Sequence, residues 1–130
     1  MATHIMKALQ TKVFQILDAD AQITCEVYDH TPDNSTYPFI QIGDDAFDDF
    51  GSHDIDGFQV DMTIHTWTQG EGMSACKTLQ ERIYTLLHNV DLALSGQRTI
   101  SLRGALTTTM LDPDGRTFHG INKFRLILGG

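Results

Sequence analysis

The sequence predicts an α+β domain: a mainly antiparallel five-stranded sheet with two helices packed on one face, in the order α-β-β-β-α-β-β. Three observations carry this. Phe58, Val60, Met62 and Ile64 alternate with Gln59, Asp61, Thr63 and His65, which is the period of a strand with one dry face. Beyond the glycines at Gly70 and Gly72 the period changes. Cys76, Leu79, Ile83, Leu86, Leu87 and Val90 then recur at three- and four-residue intervals, forming one apolar stripe on a helix. Links between the remaining alternating segments are short, which favours antiparallel pairing.

Taken in order, residues 4–17 place Ile5, Leu9, Val13, Ile16 and Leu17 on one side of a first helix. Asp18 and Asp20 end it. Ile23, Cys25 and Val27 alternate with Thr24, Glu26 and Tyr28 as the first strand. Residues 29–36 form a polar loop with the turn formers Pro32, Asn34 and Ser35. Residues 37–42 form a second short strand, with Pro38 at its start or on an edge because it cannot donate to a ladder. Residues 44–56 hold Asp44, Asp45, Asp48, Asp49, Asp54 and Asp56 without one basic residue, so they read as a solvated acidic loop, tethered by Phe47, Phe50 and Ile55. The central strand and second helix follow, and 91–97 is a connector. Residues 98–110 make a longer strand with Ile100, Leu102, Leu106 and Met110 facing one way. Pro113 and Gly115 give a hairpin its turn chemistry. The last strand, 117–128, puts Asn122, Phe124, Leu126 and Leu128 opposite Ile121, Lys123, Arg125 and Ile127, and Gly129-Gly130 is expected to be loose. The helix-free face then carries Gln59, Asp61, Thr63, His65, Lys123 and Arg125, a surface suited to a wet interface.

Composition narrows the function classes. A chain of 130 residues, 41% hydrophobic and 20% charged, fits one folded domain over 1–130 with a real core. Its formal charge of −8 argues against gripping nucleic acid through phosphate neutralisation. It is compatible with letting nucleic acid slide past without sticking. Cys25 and Cys76 fall on apolar positions, as buried thiols of a reducing compartment do. No run of eighteen apolar residues offers a membrane span, and no cationic start leads into an apolar stretch, so production in the cytosol is expected.

Chemistry-bearing patterns are weak. Lys77-Thr78 lies between a strand and a helix, as in a phosphate loop, but Glu71 and Cys76 stand where backbone-wrapping glycines are needed. Asp54-Ile55-Asp56-Gly57 lacks the remaining ligands of a calcium loop, and the six histidines include no close pair suited to zinc. His30 beside Asp29, or His65 with His119, are the available acid–base pairs, yet no Gly-x-Ser-x-Gly elbow supplies a nucleophile. No catalytic, cofactor or metal site is therefore assigned. The aspartates act either as a solubility feature, as a rim that repels DNA phosphate, or as a docking patch for a basic partner.

Several segments are similar to one known family. Val27-Tyr28-Asp29-His30, the stretch from Tyr37 to Gly43, the stretch from Met62 to Trp67, the glycine loop and the helix near Ser74 follow in order. Asp114-Gly115-Arg116 and the stretch from His119 to Arg125 complete the series. Together they resemble the tail-completion, or tail-terminator, proteins of long-tailed phages and prophages over nearly the whole chain; the acidic run is not part of the resemblance. What it implies is a non-enzymatic virion protein that ends the tail tube as a ring, a hexamer, at the head–tail junction. Its partners would be other copies, the tail-tube protein and a head connector or stopper, with DNA passing through unbound specifically and no membrane involved. The contacts expected for such a ring are the polar sheet face with His65, Trp67, Lys123 and Arg125, the loop with His30, Asp33 and Asn34, and the hairpin with Asp114 and Arg116. The aspartates 44–56 are expected on the lumen or its rim. The rival expectations are an acidic interaction or inhibitor module outside any virion, and a small hydrolase using His30 or His119.

Overall fold

The computed structural model of the chain describes residues 6–30, 32, 35–49, 57–70, 72–92, 94 and 98–129. Helix α1 runs Met6–Asp18 and buries Leu9, Val13 and Leu17, the four-residue rhythm its sequence carries. His4 and Ile5 lie outside the described residues. Asp20, just past the helix, accepts from Arg82 Nε at 2.9 Å and Arg82 Nη2 at 2.7 Å, tying this turn to the second helix. The Arg82 guanidinium holds the Asp20 carboxyl below the usual carboxylate range. A lowered carboxylate pKa stabilises the fold above its ordinary value, and that contribution disappears as pH falls through the folded one. Accordingly, Asp20→Asn is expected to lower the thermal midpoint at pH 7 and to change it little near pH 2, as read by circular dichroism.

Strand β1 is only Glu26–Tyr28. The alternation that began at Ile23 reports burial, not a ladder: Ile23 N donates to Asp20 O at 3.2 Å in a turn while its side chain is buried. Strand β2 spans Phe39–Asp49 and β3 spans Gly57–Gln69. Two expectations change here. First, β1 pairs with β2 in parallel, Val27 opposite Ile40, so short links did not make every pair antiparallel. Second, the expected acidic loop is strand as far as Asp49. β3 supplies ladder partners out to Asp49 opposite Phe58, and the Phe47 and Phe58 rings meet edge to face with centroids 6.4 Å apart. A partner strand and an aromatic contact outweigh aspartate's poor strand propensity. The register shifts between Ile42 and Asp45, a bulge centred on Gly43, where an added Cβ would stand 2.5 Å from His65 Cδ2. Phe50, Asp54, Ile55 and Asp56 lie outside the described residues.

Helix α2, Ser74–Leu87, buries Cys76, Gln80, Ile83 and Leu87. It carries the chain to β4, Arg98–Leu111, which hairpins into β5, Thr117–Gly129. The strand order is β1-β2-β3-β5-β4, so β5 fills the space between β3 and β4. The hairpin behaves as its sequence predicts. Gly115 has φ of 76°, and the Asp114 carboxylate accepts from Arg116 N at 3.0 Å and Thr117 N at 2.8 Å. The expectation that Ile100, Leu102, Leu106 and Met110 share a face fails. Bulges between Thr99 and Ser101 and between Gly104 and Leu106 reset the parity, leaving Leu102 buried while Ile100, Leu106 and Met110 are 53%, 52% and 39% exposed.

Both helices cover the same face. Leu9, Val13 and Leu17 from α1 and Ile83 and Leu87 from α2 join Ile40, Val60, Ile64, Phe124, Leu126 and Leu128 in one core. Gln80 adds a polar clamp inside it. Its Nε2 donates to Thr108 O at 2.9 Å, its Oε1 accepts from Thr109 Oγ1 at 2.7 Å, and its backbone O accepts from Asn122 Nδ2 at 3.2 Å. Among the described residues no helix is long and apolar enough to cross a membrane.

Candidate functional site

The helix-free face of the sheet gathers side chains from four strands. The register sets Phe39 opposite Trp67, Trp67 opposite His119, and His65 opposite Ile121. Because alternate residues share a face, the odd-numbered positions of β3 and β5 all point away from the helices. At one end of this face the rings pack into a band. Trp67 stacks on His119 with centroids 3.8 Å apart and 6° between planes, Phe39 lies 6.4 Å from Trp67, and Tyr28 and Tyr37 flank Phe39 at 5.9 and 5.2 Å. Below the band the face turns charged. Arg125 Nε donates to Asp61 Oδ1 at 3.0 Å, with Lys123 exposed beside it. Of the expected contact residues, His65, Trp67, Lys123 and Arg125 are thus brought together. Tyr28, Tyr37 and Phe39 belong with them, which only the cross-strand register reveals, and so does His119, which the sequence already set beside His65 as a pair.

His65 Nδ1 and His119 Nε2 are 2.7 Å apart and their rings stack. One nitrogen donates and the other accepts, so this contact requires at least one neutral ring. Burial pushes both histidines below the usual imidazole value, and repulsion from His65 adds to the shift at His119. Asp44 and Asp112 oppose it only in part. A base whose folded pKa is depressed is protonated first in the unfolded chain. Stability therefore falls as pH drops through the ordinary value of 6.5 and levels out below the folded values. Urea unfolding between pH 7.5 and 5 is expected to show this decline, and the double variant His65→Gln/His119→Gln to flatten it.

The other expected residues lie elsewhere. Asp44, Asp45 and Asp48 are exposed along β2, past the end of β1. Burial and then the Asp44 charge raise the Asp45 carboxyl above the usual carboxylate range. Asp49 ends the strand, and Asp33, Asn34, Asp54 and Asp56 lie outside the described residues, as does Gly130; Gly129, expected to be loose, is instead buried at the end of β5, paired with Gly57 and Arg98. His30 is exposed after β1, while its neighbour Asp29 accepts from Gln10 Nε2 of α1 at 3.2 Å. Asp114 is occupied by its own turn, and Arg116 is exposed at the hairpin tip, where its carbonyl accepts from Gly70 N at 3.2 Å. Burial raises the thiols of Cys25 and Cys76, away from the thiolate form a nucleophile needs. No cluster of three or more potential metal ligands occurs among the described residues. The described residues present a mixed sheet face, an acidic strand edge and a hairpin tip.

Comparison with known proteins bears on this directly. A family model described as tail completion protein gp17 matches residues 11–129. Tail completion protein gp17 of Bacillus phage SPP1 is 27% identical over 92 residues, which span 71% of this chain and 68% of that one. Among solved structures, a chain from the virion of a native gene transfer agent particle shares the fold with a TM-score of 0.86 at 24% identity, covering 99% of this chain and all (100%) of the other. The structure of bacteriophage SPP1 gp17 gives 0.66 at 23% identity, with 92% and 88% covered.

Proposed function

Because the chain belongs to the tail completion protein gp17 family, matched over residues 11–129, we propose that it completes the phage tail, closing the tail tube at the head–tail junction as a ring of identical copies. It is a structural protein of the virion tail. The carrying observation is that the family match takes in the fold from the body of α1 to the end of β5. A similar fold, over the full length of both chains, is built into a gene transfer agent virion. We take the ring to be a hexamer whose neighbours above and below are the tail-tube protein and a head connector or stopper. DNA passes through its centre without specific binding, in keeping with a net charge of −8, since a surface of that sign does not collect phosphate. The work is done by shape and mutual contact.

The experiment is removal of the gene from its phage or prophage, followed by electron microscopy of the particles. Over-long tails, or tails separated from heads, are expected, with rescue by the wild-type gene. Normal infectious particles would defeat the assignment. The two rivals predict other outcomes: an inhibitor module never enters particles, and a hydrolase loses an activity but not assembly on His30→Ala or His119→Ala.

A further inference from the structure

We infer that the far half of β4 is a docking edge for a second copy of this chain, which lays the open acidic edge of its own β2 there as an added strand. The inference rests on the ring proposed above and names its subunit seam. β4 is the outermost strand of the sheet, but its two halves differ. Along the first half, backbone groups are already satisfied from the end of α2. Asn89 N donates to Leu102 O at 2.7 Å, and Gly104 N donates to His88 Nδ1 at 3.0 Å. Past the second bulge, residues 105–111 read Ala-Leu-Thr-Thr-Thr-Met-Leu, with neither charge nor proline. Leu106 and Leu111 there are 52% and 50% exposed. Among the described residues no strand covers that side; from the helix layer Gln80 holds Thr108 O and the Thr109 hydroxyl. An uncharged, β-prone open edge is a template for another strand, and native proteins protect such edges unless they use them. Beside it runs a groove against α2, lined by Thr107, Thr109, Met73, Lys77 and Tyr84, with room for the inward side chains of an incoming strand.

The sheet itself holds the matching piece. β1 pairs only with Phe39, Ile40 and Gln41 of β2, so among the described residues no strand pairs with 42–49 on that side, although Leu9, Gln10 and Val13 of α1 lie beside Ile42, Gly43 and Asp45. That edge carries Asp44, Asp45, Asp48 and Asp49 and no base. The β4 side offers Arg103, exposed on the strand and outside any ion pair among the described residues, while the groove holds one charge of each sign, Lys77 and Glu81. Two β2 edges would set aspartates against aspartates, and two β4 edges would give a closed pair. The unlike pairing is head-to-tail, the kind of contact that builds rings, and opposite charge fixes its sense. Each copy gives one edge and receives the other, since the two lie on opposite sides of one sheet. This seam moves the described aspartates from the channel wall to the joint between neighbours.

Particles assembled with the full-length variant Ala46→Cys/Leu106→Cys test this, since both positions are exposed and the native cysteines are buried or half-buried. Mild oxidation is expected to give a disulfide ladder in denaturing gels, absent from either single variant. Particles that contain the protein but give no ladder overturn the seam and leave the ring standing, as does dimer formation by Leu106→Cys alone. If wild-type protein is missing from particles, ring and seam fall together. Should the cysteine variant fail to incorporate, charge exchange decides: Arg103→Glu is expected to lower incorporation about tenfold and Asp48→Arg to restore it. No loss, or no recovery, overturns the seam.

Discussion

Gly120→Val is expected to destabilise the fold by about 3–4 kcal/mol in urea unfolding, far beyond the usual cost of a β-branched residue entering a strand. Valine itself suits strands; the damage comes from what lies over this one. A Cβ at Gly120 would stand 2.5 Å from Gln80 Cδ, 2.7 Å from Gln80 Nε2 and 2.9 Å from Cys76 Sγ. Overpacking of a filled interior costs about 1–3 kcal/mol. Here the displaced side chain is also a buried amide bonded to Thr108 O and Thr109 Oγ1. Stranding those groups adds about 1–3 kcal/mol. Gly72→Ala, with nothing within 4 Å, is the control and should stay within about 0.5 kcal/mol of wild type. A loss at Gly120 no larger than the control's would mean that Gln80 and Cys76 yield to the added side chain without losing their contacts.

That clamp marks where the sequence stopped being legible. Periodicity reports which side of an element is dry, and it placed both helices and gave β3 and β5 their buried faces down to Asn122 and Phe124, but it carried the second helix on to Val90, past its end at Leu87, and did not find the buried Gln80. It failed wherever a partner strand decided the outcome. The aspartates after Gly43 read as loop because local propensity says so, yet β3 continues alongside them to Phe58 and draws them into the ladder. Along β4 the alternation is true locally but is broken twice by bulges, and a bulge leaves no signature when the extra residues are Ile100 and Ala105. The contact residues show the same division. His65 and Lys123 could be assigned to one face from their own strands, whereas the stack of Trp67 on His119 depends on β5 lying beside β3, with β4 displaced to the edge. The family resemblance supplied the biological class, and the family match over residues 11–129 bears it out. Neither tells which edge meets which neighbour, because that is decided by strand order.

Phe124→Ala should be the costliest single truncation in the core, at about 3–5 kcal/mol, because the space it leaves cannot be refilled from either side. Phe124 is 1% exposed and sits on the inner face of β5, between Met62 of β3 and Gly104 of β4. A longer residue at Gly104 would be the obvious compensation, but a Cβ there would meet Tyr84 Cε1 at 2.5 Å. Tyr84 in turn cannot drop into the gap without leaving its stack on His88, whose centroid lies 4.5 Å away and whose Nδ1 accepts from Gly104 N. The site is therefore braced open, and a braced cavity costs more than one that collapses. Phe124→Leu keeps most of the volume and should cost less than about 1.5 kcal/mol. A wide gap between the two variants in urea midpoints is expected. Equal losses would mean that the flat ring lying against Gly104, and not the volume it fills, holds this end of α2 on the sheet.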